Sequence, residues 1–304
     1  MTALARVACL GITVQDRILS VPVLPTKSMK IYATATEEAG GGSSATGAVA
    51  IVALGGEAML FGRVGEDDVG RTIRAELTRY GVDVTGVKLL ADAQTGWSAV
   101  AIDPTGDRVI LAFPGHNLQV VPDWLDEARI GQCGAVVVDM GWPAGAAQML
   151  AIANRHGIPS VIDADFGPLA QASSLIAQTR HVVFSEAGLR QQSGQETAED
   201  GLRAMRARLT GAAAVGVTLG PEGYLWLEDV DLHHLATPQV TVVDTLGAGD
   251  VFHGAYALAL AEGAAVAQAA RFAVAAATLK CTRPGGRKGV ASRAEVEAVL
   301  RQAW

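Results

Sequence analysis

The heptapeptide Asp244-Thr-Leu-Gly-Ala-Gly-Asp250, followed at once by an apolar, alanine-rich run, constrains this chain more than any other stretch. Two acids bracket a Gly-Ala-Gly turn, and the apolar run puts the start of a helix inside that turn. Unpaired N–H groups at a helix start bind anions, and the helix dipole adds to the effect. Gly247, Ala248 and Gly249 carry too little side chain to keep a phosphate from the backbone. Asp250 falls in the first helical turn beside this anion pocket. Its carboxylate is expected to stay ionised there and to take a proton from a hydroxyl attacking a phosphoryl group. A plain helix cap, with Asp244 as an ordinary N-terminal acid, requires neither the small-residue turn nor the second acid.

Composition narrows the setting. The 304 residues are 50% hydrophobic and 18% charged, which reads as a globular chain with a large core. A formal charge of −7 argues against a nucleic-acid or anionic-membrane surface. Cys9, Cys133 and Cys281 are odd in number and far apart, without a CxxC or Cys/His spacing. They read as buried thiols in a reducing cytosol, so the expected location is cytoplasmic. The apolar run near the N-terminus is interrupted by Gly11 and followed by Asp16 and Arg17, unlike a signal peptide. The longest apolar region, Val251 to Leu279, holds Glu262, Gln268 and Arg271, with Gly263 midway. It reads as two core helices rather than a membrane span.

The pattern along the chain changes near residue 131. Ala135–Asp139, Ser160–Asp163, His181–Phe184 and Ala214–Thr218 read as strands separated by helical segments such as Ala144–His156 and Ala198–Leu209. This alternation predicts an α/β protein with a parallel sheet covered by helices on both faces. Tyr224–Glu228 and Leu232–Leu235 read as a late antiparallel addition. Earlier, Arg6–Thr13 and Glu57–Gly62 read as strands, and Ser43 or Ser44 as the cap of a helix running to Ala53. Ser28–Glu38 reads as a partly exposed strand region, closed by a break at Gly40–Gly42. Gly96–Asp103 and Asp107–Phe113 read as a hairpin around Pro104-Thr-Gly106. Segments of about 14–38 and 95–115 do not fit the alternation and are expected to form a small β-sheet lid on one domain spanning 1–304.

Other constellations are weaker. No GxxxxGK[ST] loop is present, and no GxGxxG follows a strand, which disfavours an NAD-dependent oxidoreductase. Thr218-Leu-Gly220-Pro-Glu-Gly223 ends a strand, and its glycines would admit a nucleotide close to the backbone; an ordinary turn explains them equally well. Asp16 lies just past the first strand, on the side of an α/β sheet where ligands bind, and can accept from two hydroxyls of a polyol, although by itself it reads better as a solvated turn acid. Gly41-Gly42 leads into a helix and offers a second close approach. Arg283-Pro-Gly-Gly-Arg287-Lys288 is a basic loop that either meets an anion or is a solvated turn. Lys27, Lys30 and His116, in the expected lid, read better singly as solvated residues. His253, on the Asp250 helix, reads as packing, and the His233-His234 pair is given no role.

Taken together, the motifs resemble those of the PfkB carbohydrate kinases, the ribokinase-like family. Asp244-Thr-Leu-Gly-Ala-Gly-Asp250-Val-Phe-His-Gly is similar to that family's second signature. Gly40-Gly-Gly-Ser-Ser-Ala-Thr-Gly-Ala-Val-Ala, with Gly62-Arg-Val-Gly-Glu-Asp-Asp-Val-Gly70, is similar to its first. The resemblance implies a ribokinase-like, Rossmann-type three-layer α/β/α body with a β-sheet lid, using ATP and Mg2+. It implies Asp250 as the base, Gly247, Ala248 and Gly249 as the anion hole, and Asp16, Gly41 and Gly42 facing the sugar. Thr218, Gly220 and Gly223 would lie along the nucleotide, and a K+ site near Asp244 and the loop after Cys281 is common in the family. Many members form homodimers through the lid. Two positions depart from the pattern. Thr46 stands where many members have Asn, altering a sugar contact. The Asn-x-x-Glu motif tied to magnesium and phosphate appears as Ser185-Glu-Ala-Gly188, with Glu186 the carboxylate that would substitute. Within the family, Val7-Ala-Cys-Leu-Gly-Ile-Thr-Val, Phe184-Ser-Glu and Lys280-Cys-Thr-Arg-Pro-Gly-Gly-Arg287 resemble bacterial sulfofructose kinases, a resemblance that implies Lys30 as a contact of the sulfonate. The stretch Asp139-Met-Gly-Trp142, however, lacks the arginine expected as a second sulfonate partner, and Ala112 stands where a polar contact is expected. The expected reaction is phosphorylation of a primary hydroxyl of a ketohexose-like sugar, of sulfofructose or fructose type. A ribokinase or nucleoside kinase of the same fold, and a non-catalytic sugar-binding regulator, are the alternatives.

Overall fold

Parallel strands covered on both faces must be apolar along their whole length, and such runs form the middle of a nine-stranded sheet. In the computed structural model, which describes residues 4–165 and 169–303, the strands are β1 (Arg6–Leu10), β2 (Val14–Ser20), β3 (Ala35–Gly41), β4 (Glu57–Gly65), β5 (Asp83–Leu90), β6 (Trp97–Ile102), β7 (Arg108–Phe113), β8 (Ala135–Asp139), β9 (Ser160–Ala164), β10 (His181–Ser185), β11 (Ala214–Thr218), β12 (Tyr224–Glu228) and β13 (Asp231–Leu235). The large sheet has the order β13-β12-β11-β10-β9-β8-β1-β4-β5. It is parallel from β11 to β5, with β12 and β13 added antiparallel at one edge.

Alternate residues of each strand feed opposite cores, as the two-residue period of a strand requires. Val7 and Cys9 of β1, with Ala135 and Val137 of β8, pack against the helices Ser43–Ala53, Ala248–Ala261 and Val266–Cys281. Ala8 and Leu10, with Val136 and Val138, face the helices Pro143–His156, Leu169–Ala177 and Ala198–Arg208. The body is therefore a sheet between two helical layers. The chain runs from β1 toward β4 and β5 on one side and from β8 toward β13 on the other. Ligands of open α/β sheets bind at the carboxyl ends of strands where the winding reverses in this way. No helix of the described residues is long and apolar enough to cross a membrane.

Three residues after β1 the chain leaves this sheet and enters a four-stranded one of order β3-β2-β6-β7. Its small core of Ile18, Ala39 and Val100 packs against Leu246 of the 244–250 heptapeptide. Arg108, at the start of β7, donates to Thr245 Oγ1 at 2.9 Å. The small sheet thus rests directly on the heptapeptide.

Local expectations differ from the structure in several places. The strand expected over Ser28–Glu38 begins only at Ala35, and Gly40 and Gly41 belong to it, paired with Gln15 and Val14. These glycines serve close approach rather than a break: a Cβ on Gly40 would lie 2.2 Å from Glu76 Oε2, and one on Gly41 2.3 Å from Asp16 Oδ2. The break comes at Gly42 alone, whose φ of 96° is open to glycine. Neither Ser43 nor Ser44 caps the helix; its cap is Gly42. Strand β5 has no counterpart in the sequence reading. His233 and His234 sit on β13 rather than on a turn, with His233 stacked on Trp226.

Candidate active site

The helix Ala248–Ala261 starts at Gly247, whose φ of 79° turns the chain into it and leaves Asp250 in its first turn. The helix is apolar on all sides because it is buried on all sides, from Val251 to Leu260. It crosses the helix Ser43–Ala53 at backbone contact: a Cβ on Gly254 would fall 2.4 Å from Gly47 O. This crossing brings buried Thr46 to the heptapeptide turn, with its methyl 3.4 Å from where a Gly247 Cβ would be. A Cβ on Gly249 would meet nothing within 4 Å. Open space therefore lies beside Gly249, whereas Ala248 N already donates to Thr245 O at 3.2 Å.

Behind Asp250 stands a group of acids that the sequence reading did not assign. Asp139 ends β8 and is buried, accepting from Ile12 N at 2.7 Å and Gly141 N at 2.9 Å, with Ser44 Oγ 2.7 Å away. Asp163 lies on β9, 3.6 Å from His253 Nε2. His253 Nδ1 is 2.7 Å from Gly249 O, one helical turn back. With that nitrogen as donor, the buried Nε2 has no hydrogen-bond partner and faces Asp163. Asp250 is pushed up from the usual carboxylate range to about 7, first by burial and then by the charge of Asp163; His253 and Arg287 pull the other way. The expectation of a firmly ionised carboxylate is thereby corrected. The helix start favours the charge, but burial beside two further acids opposes it more strongly. The signal in the sequence was an acid at the carboxyl end of an apolar run, in Ala135–Asp139 and again in Ser160–Ala164.

Asp16 is on β2 in the small sheet, opposite Ala39 and Ser98. Burial raises its carboxyl, while a hydrogen bond from Ser98 and the charge of Arg287 lower it. Gly41 lies against this carboxyl and Gly42 follows, so Asp16, Gly41, Gly42 and Thr46 come together beside the heptapeptide turn. Arg287, left open as a solvated residue or an anion contact, is only 1% exposed. Its Nη2 donates to Gly41 O at 2.6 Å, holding the glycine strand from beneath. Lys30 does not join this group. It is exposed, with its ammonium 4.7 Å over the exposed Tyr32 ring.

On the other side of the turn is a cavity of about 440 Å3 whose lining includes Thr218, Gly220, Gly223, Ala248, Gly249 and Cys281. Val240, Val242, Val274 and Ala277 make its walls mostly apolar, the usual character of a pocket for a flat ring system with a few directing polar groups. Gly223 has φ of 100°, and a Cβ there would lie 2.0 Å from Leu235 O, so the β11–β12 turn closes only with glycine. Ser185 is not in this lining. It caps the helix Glu186–Ser193, accepting from Gly188 N at 3.0 Å and donating to Asp165 Oδ1 at 2.6 Å. Glu186 is exposed at the start of that helix. Among the described residues no three His, Cys, Asp or Glu side chains gather into a metal site.

Asp244 is the most heavily bonded acid of the heptapeptide. Its carboxylate accepts from Leu246 N at 2.8 Å, Gly285 N at 2.9 Å and the Lys280 ammonium at 3.0 Å. These bonds hold its carboxyl below the usual range, against the effect of partial burial.

The family comparison agrees with this geometry. The model of the pfkB family carbohydrate kinases matches residues 4–293. The ATP-dependent ribose-1-phosphate kinase of Halopiger xanaduensis is 30% identical over 295 residues, covering 93% of this chain and 94% of that protein. A solved structure from Agrobacterium tumefaciens, provisionally named a ribokinase, is 36% identical with a TM-score of 0.94 over 99% of this chain and 98% of its own. The Arabidopsis thaliana ribokinase, solved with ribose and ATP, is 25% identical with a TM-score of 0.86, over 99% of this chain and all of its own. The chain belongs to the PfkB family of carbohydrate kinases, phosphotransferases that act on sugar hydroxyl groups.

Proposed function

We propose that this kinase moves the γ-phosphoryl group of ATP onto a primary hydroxyl of a small sugar in its ring form, with ribose the first candidate acceptor. The observation that carries the reading is the junction at Gly247–Gly249. The apolar cavity meets the turn from one side, the Asp16–Gly41–Thr46 group from the other, and Asp250 stands between with a carboxyl held near neutrality. Asp16 would accept from sugar hydroxyls and orient the acceptor. Asp250 would take the proton as the new O–P bond forms, and the backbone amides of the turn would stabilise charge on the transferred group. The cavity would hold the nucleotide base, with Thr218, Gly220 and Gly223 along it.

The donor set fits Mg2+, which is ordinarily held by one or two carboxylates together with substrate phosphates. Glu186 and Asp165, exposed beyond the ends of β10 and β9, would hold it. Bound with ATP, it would neutralise charge on the phosphates.

The names of the relatives favour a pentose. The ketohexose reading, with a sulfonate at Lys30, rests on sequence resemblance alone, and Lys30 over Tyr32 lends it no support. The test is ADP release with Mg-ATP over ribose, deoxyribose, ribose 1-phosphate, fructose, sulfofructose and adenosine. Turnover of ribose above the others would support the reading. Adenosine as the best acceptor would favour a nucleoside kinase, and binding of a sugar without ADP release would favour a regulator.

A base near neutrality has a visible consequence. Asp250 acts only when deprotonated, so kcat/KM is expected to fall about tenfold per pH unit below an apparent pKa near 7. Asp163→Asn removes a neighbouring negative charge and should move this acid limb to lower pH. A flat profile between pH 5 and pH 8 would remove Asp250 from the role.

Association through the lid is part of the same proposal. Strand β7, at the lid's edge, exposes Ile110 and Leu111 by 48% and 69%, an edge of the kind that pairs with another chain. Light scattering is expected to find a dimer, and Leu111→Lys a monomer.

A further inference from the structure

We infer that the Lys280 ammonium is a built-in monovalent cation that holds the anion-binding turn in shape, so that turnover needs no potassium. The family resemblance assigns a potassium ion to the space beside Asp244 and the loop after Cys281, and the residues here do not fit one. The Lys280 side chain is fully buried. Its nitrogen donates to Asp244 O at 2.9 Å, Asp244 Oδ2 at 3.0 Å and Arg283 O at 3.4 Å. An ammonium has three N–H groups, and these three oxygens satisfy all of them. A second cation would have to take the same oxygens while lying against a positive charge.

The position explains why a lysine can do this. Lys280 is in the last turn of the helix Val266–Cys281, where unpaired carbonyls favour a cation. The chain then bends through Arg283 to Gly286 and returns to the same carboxylate: Gly285 N and Gly286 N donate to Asp244 Oδ2 at 2.9 and 3.3 Å. Val243 N and Asp244 N in turn donate to Cys281 O at 2.7 and 3.1 Å. One charge therefore clamps the segment leading into Gly247 onto the loop that leads to Arg287, which holds Gly41. Asp244 O and Oδ2 belong to the residue three positions before Gly247. A loosened clamp would let the turn drift, and a displacement of about 1 Å at such a site costs about 10²-fold in rate. Lys280 is a positioning residue in this account; it touches neither substrate.

The test uses buffers in which tetramethylammonium, potassium or ammonium is the only monovalent cation. Wild-type turnover is expected to be the same in all three. Lys280→Ala should lose about 10²-fold in kcat in tetramethylammonium and regain it, saturably, with ammonium or potassium, which are small enough for the vacated space. Lys280→Met, which fills that space without charge, should lose turnover and not respond. The turnover arm rests on the proposed role of the 247–249 turn. The melting temperature of Lys280→Ala does not, and it should rise with potassium or ammonium relative to tetramethylammonium even if no sugar on the panel is an acceptor. A wild type that requires potassium overturns the inference. So does a Lys280→Ala variant that keeps full turnover in tetramethylammonium, or one that neither ammonium nor potassium restores in turnover or in melting. If that variant is insoluble in tetramethylammonium, recovery of folded protein in potassium supports the inference, and insolubility in all three buffers counts against it.

Discussion

Replacing Asp250 by asparagine is expected to lower kcat by about 10²–10⁴-fold, the scale of a lost general base, and at the same time to make the protein more stable at pH 8. The two effects have one cause. The carboxyl is raised from 3.8 to about 7 because burial and Asp163 disfavour its charge. Between those two values the folded protein holds a proton that the unfolded chain has released, so stability falls as pH rises through this window. Above it, the folded state carries a charge in a poor place. Asparagine keeps the shape and removes the charge. Each pH unit of displacement corresponds to about 1.4 kcal/mol, and sharing of protons with Asp163 keeps the gain to about 2–4 kcal/mol. The melting temperature should rise by about 5 °C at pH 8 and by little near pH 4, where the folded wild-type carboxyl is neutral and the unfolded one has only begun to lose its proton. Turnover and melting curves on the same preparations check both parts. A variant that keeps its turnover would remove Asp250 as the base. One that loses turnover without a gain at pH 8 would remove the buried-charge account.

The large features of the fold were legible because they depend on local pattern. An apolar run such as Ala135–Asp139 has few places to go except the centre of a parallel sheet, and the helices between such runs follow. The helix start inside the heptapeptide was legible for the same reason, since a small-residue turn before an apolar, alanine-rich run marks one by itself. What was not legible depends on partners far along the chain. Gly40 and Gly41 read as a break because glycine breaks chains locally; their actual reason is the approach of Glu76 and Asp16. The proton affinity of Asp250 depends on Asp139 and Asp163, which reach it only through the strand order. Strand β5 was missed because an edge strand alternates weakly. Arg287 and Lys280 were the hardest: a basic glycine loop reads equally as an anion contact or a solvated turn, and nothing local gives Lys280 a role. Only the fold shows that one lies under Gly41 and the other inside a ring of oxygens.

The expected effect of Gly254→Ala follows from the contact that brings the two halves of the site together. Gly47 and Gly254 are the residues on which the helices Ser43–Ala53 and Ala248–Ala261 touch. A Cβ on Gly254 would sit 2.4 Å from Gly47 O and 2.9 Å from its Cα. Both are backbone atoms, so no rotamer change relieves the clash, and the helices must separate. One helix carries Thr46 and follows Gly41-Gly42; the other carries Asp250 and the 247–249 turn. Separating them moves the proposed acceptor side of the site away from the proposed base and anion pocket together, while the proposed nucleotide cavity, which has Ala248, Gly249 and Phe252 on the moving helix but most of its lining on the β11–β12 turn, the 237–245 segment and the helix Val266–Cys281, changes less. Overpacking of this kind costs about 1–3 kcal/mol in stability, which a chain of this size can survive. Misplacement of reacting groups by about 1 Å costs about 10²-fold. Gly254→Ala should therefore fold, keep its KM for ATP and lose most of its kcat, even though residue 254 lies one turn beyond the base and meets no substrate. Steady-state kinetics beside a melting curve decide the matter. A folded variant with normal kcat would mean that the helices can part without disturbing the site. A raised KM for ATP would mean that the crossing also shapes the nucleotide cavity.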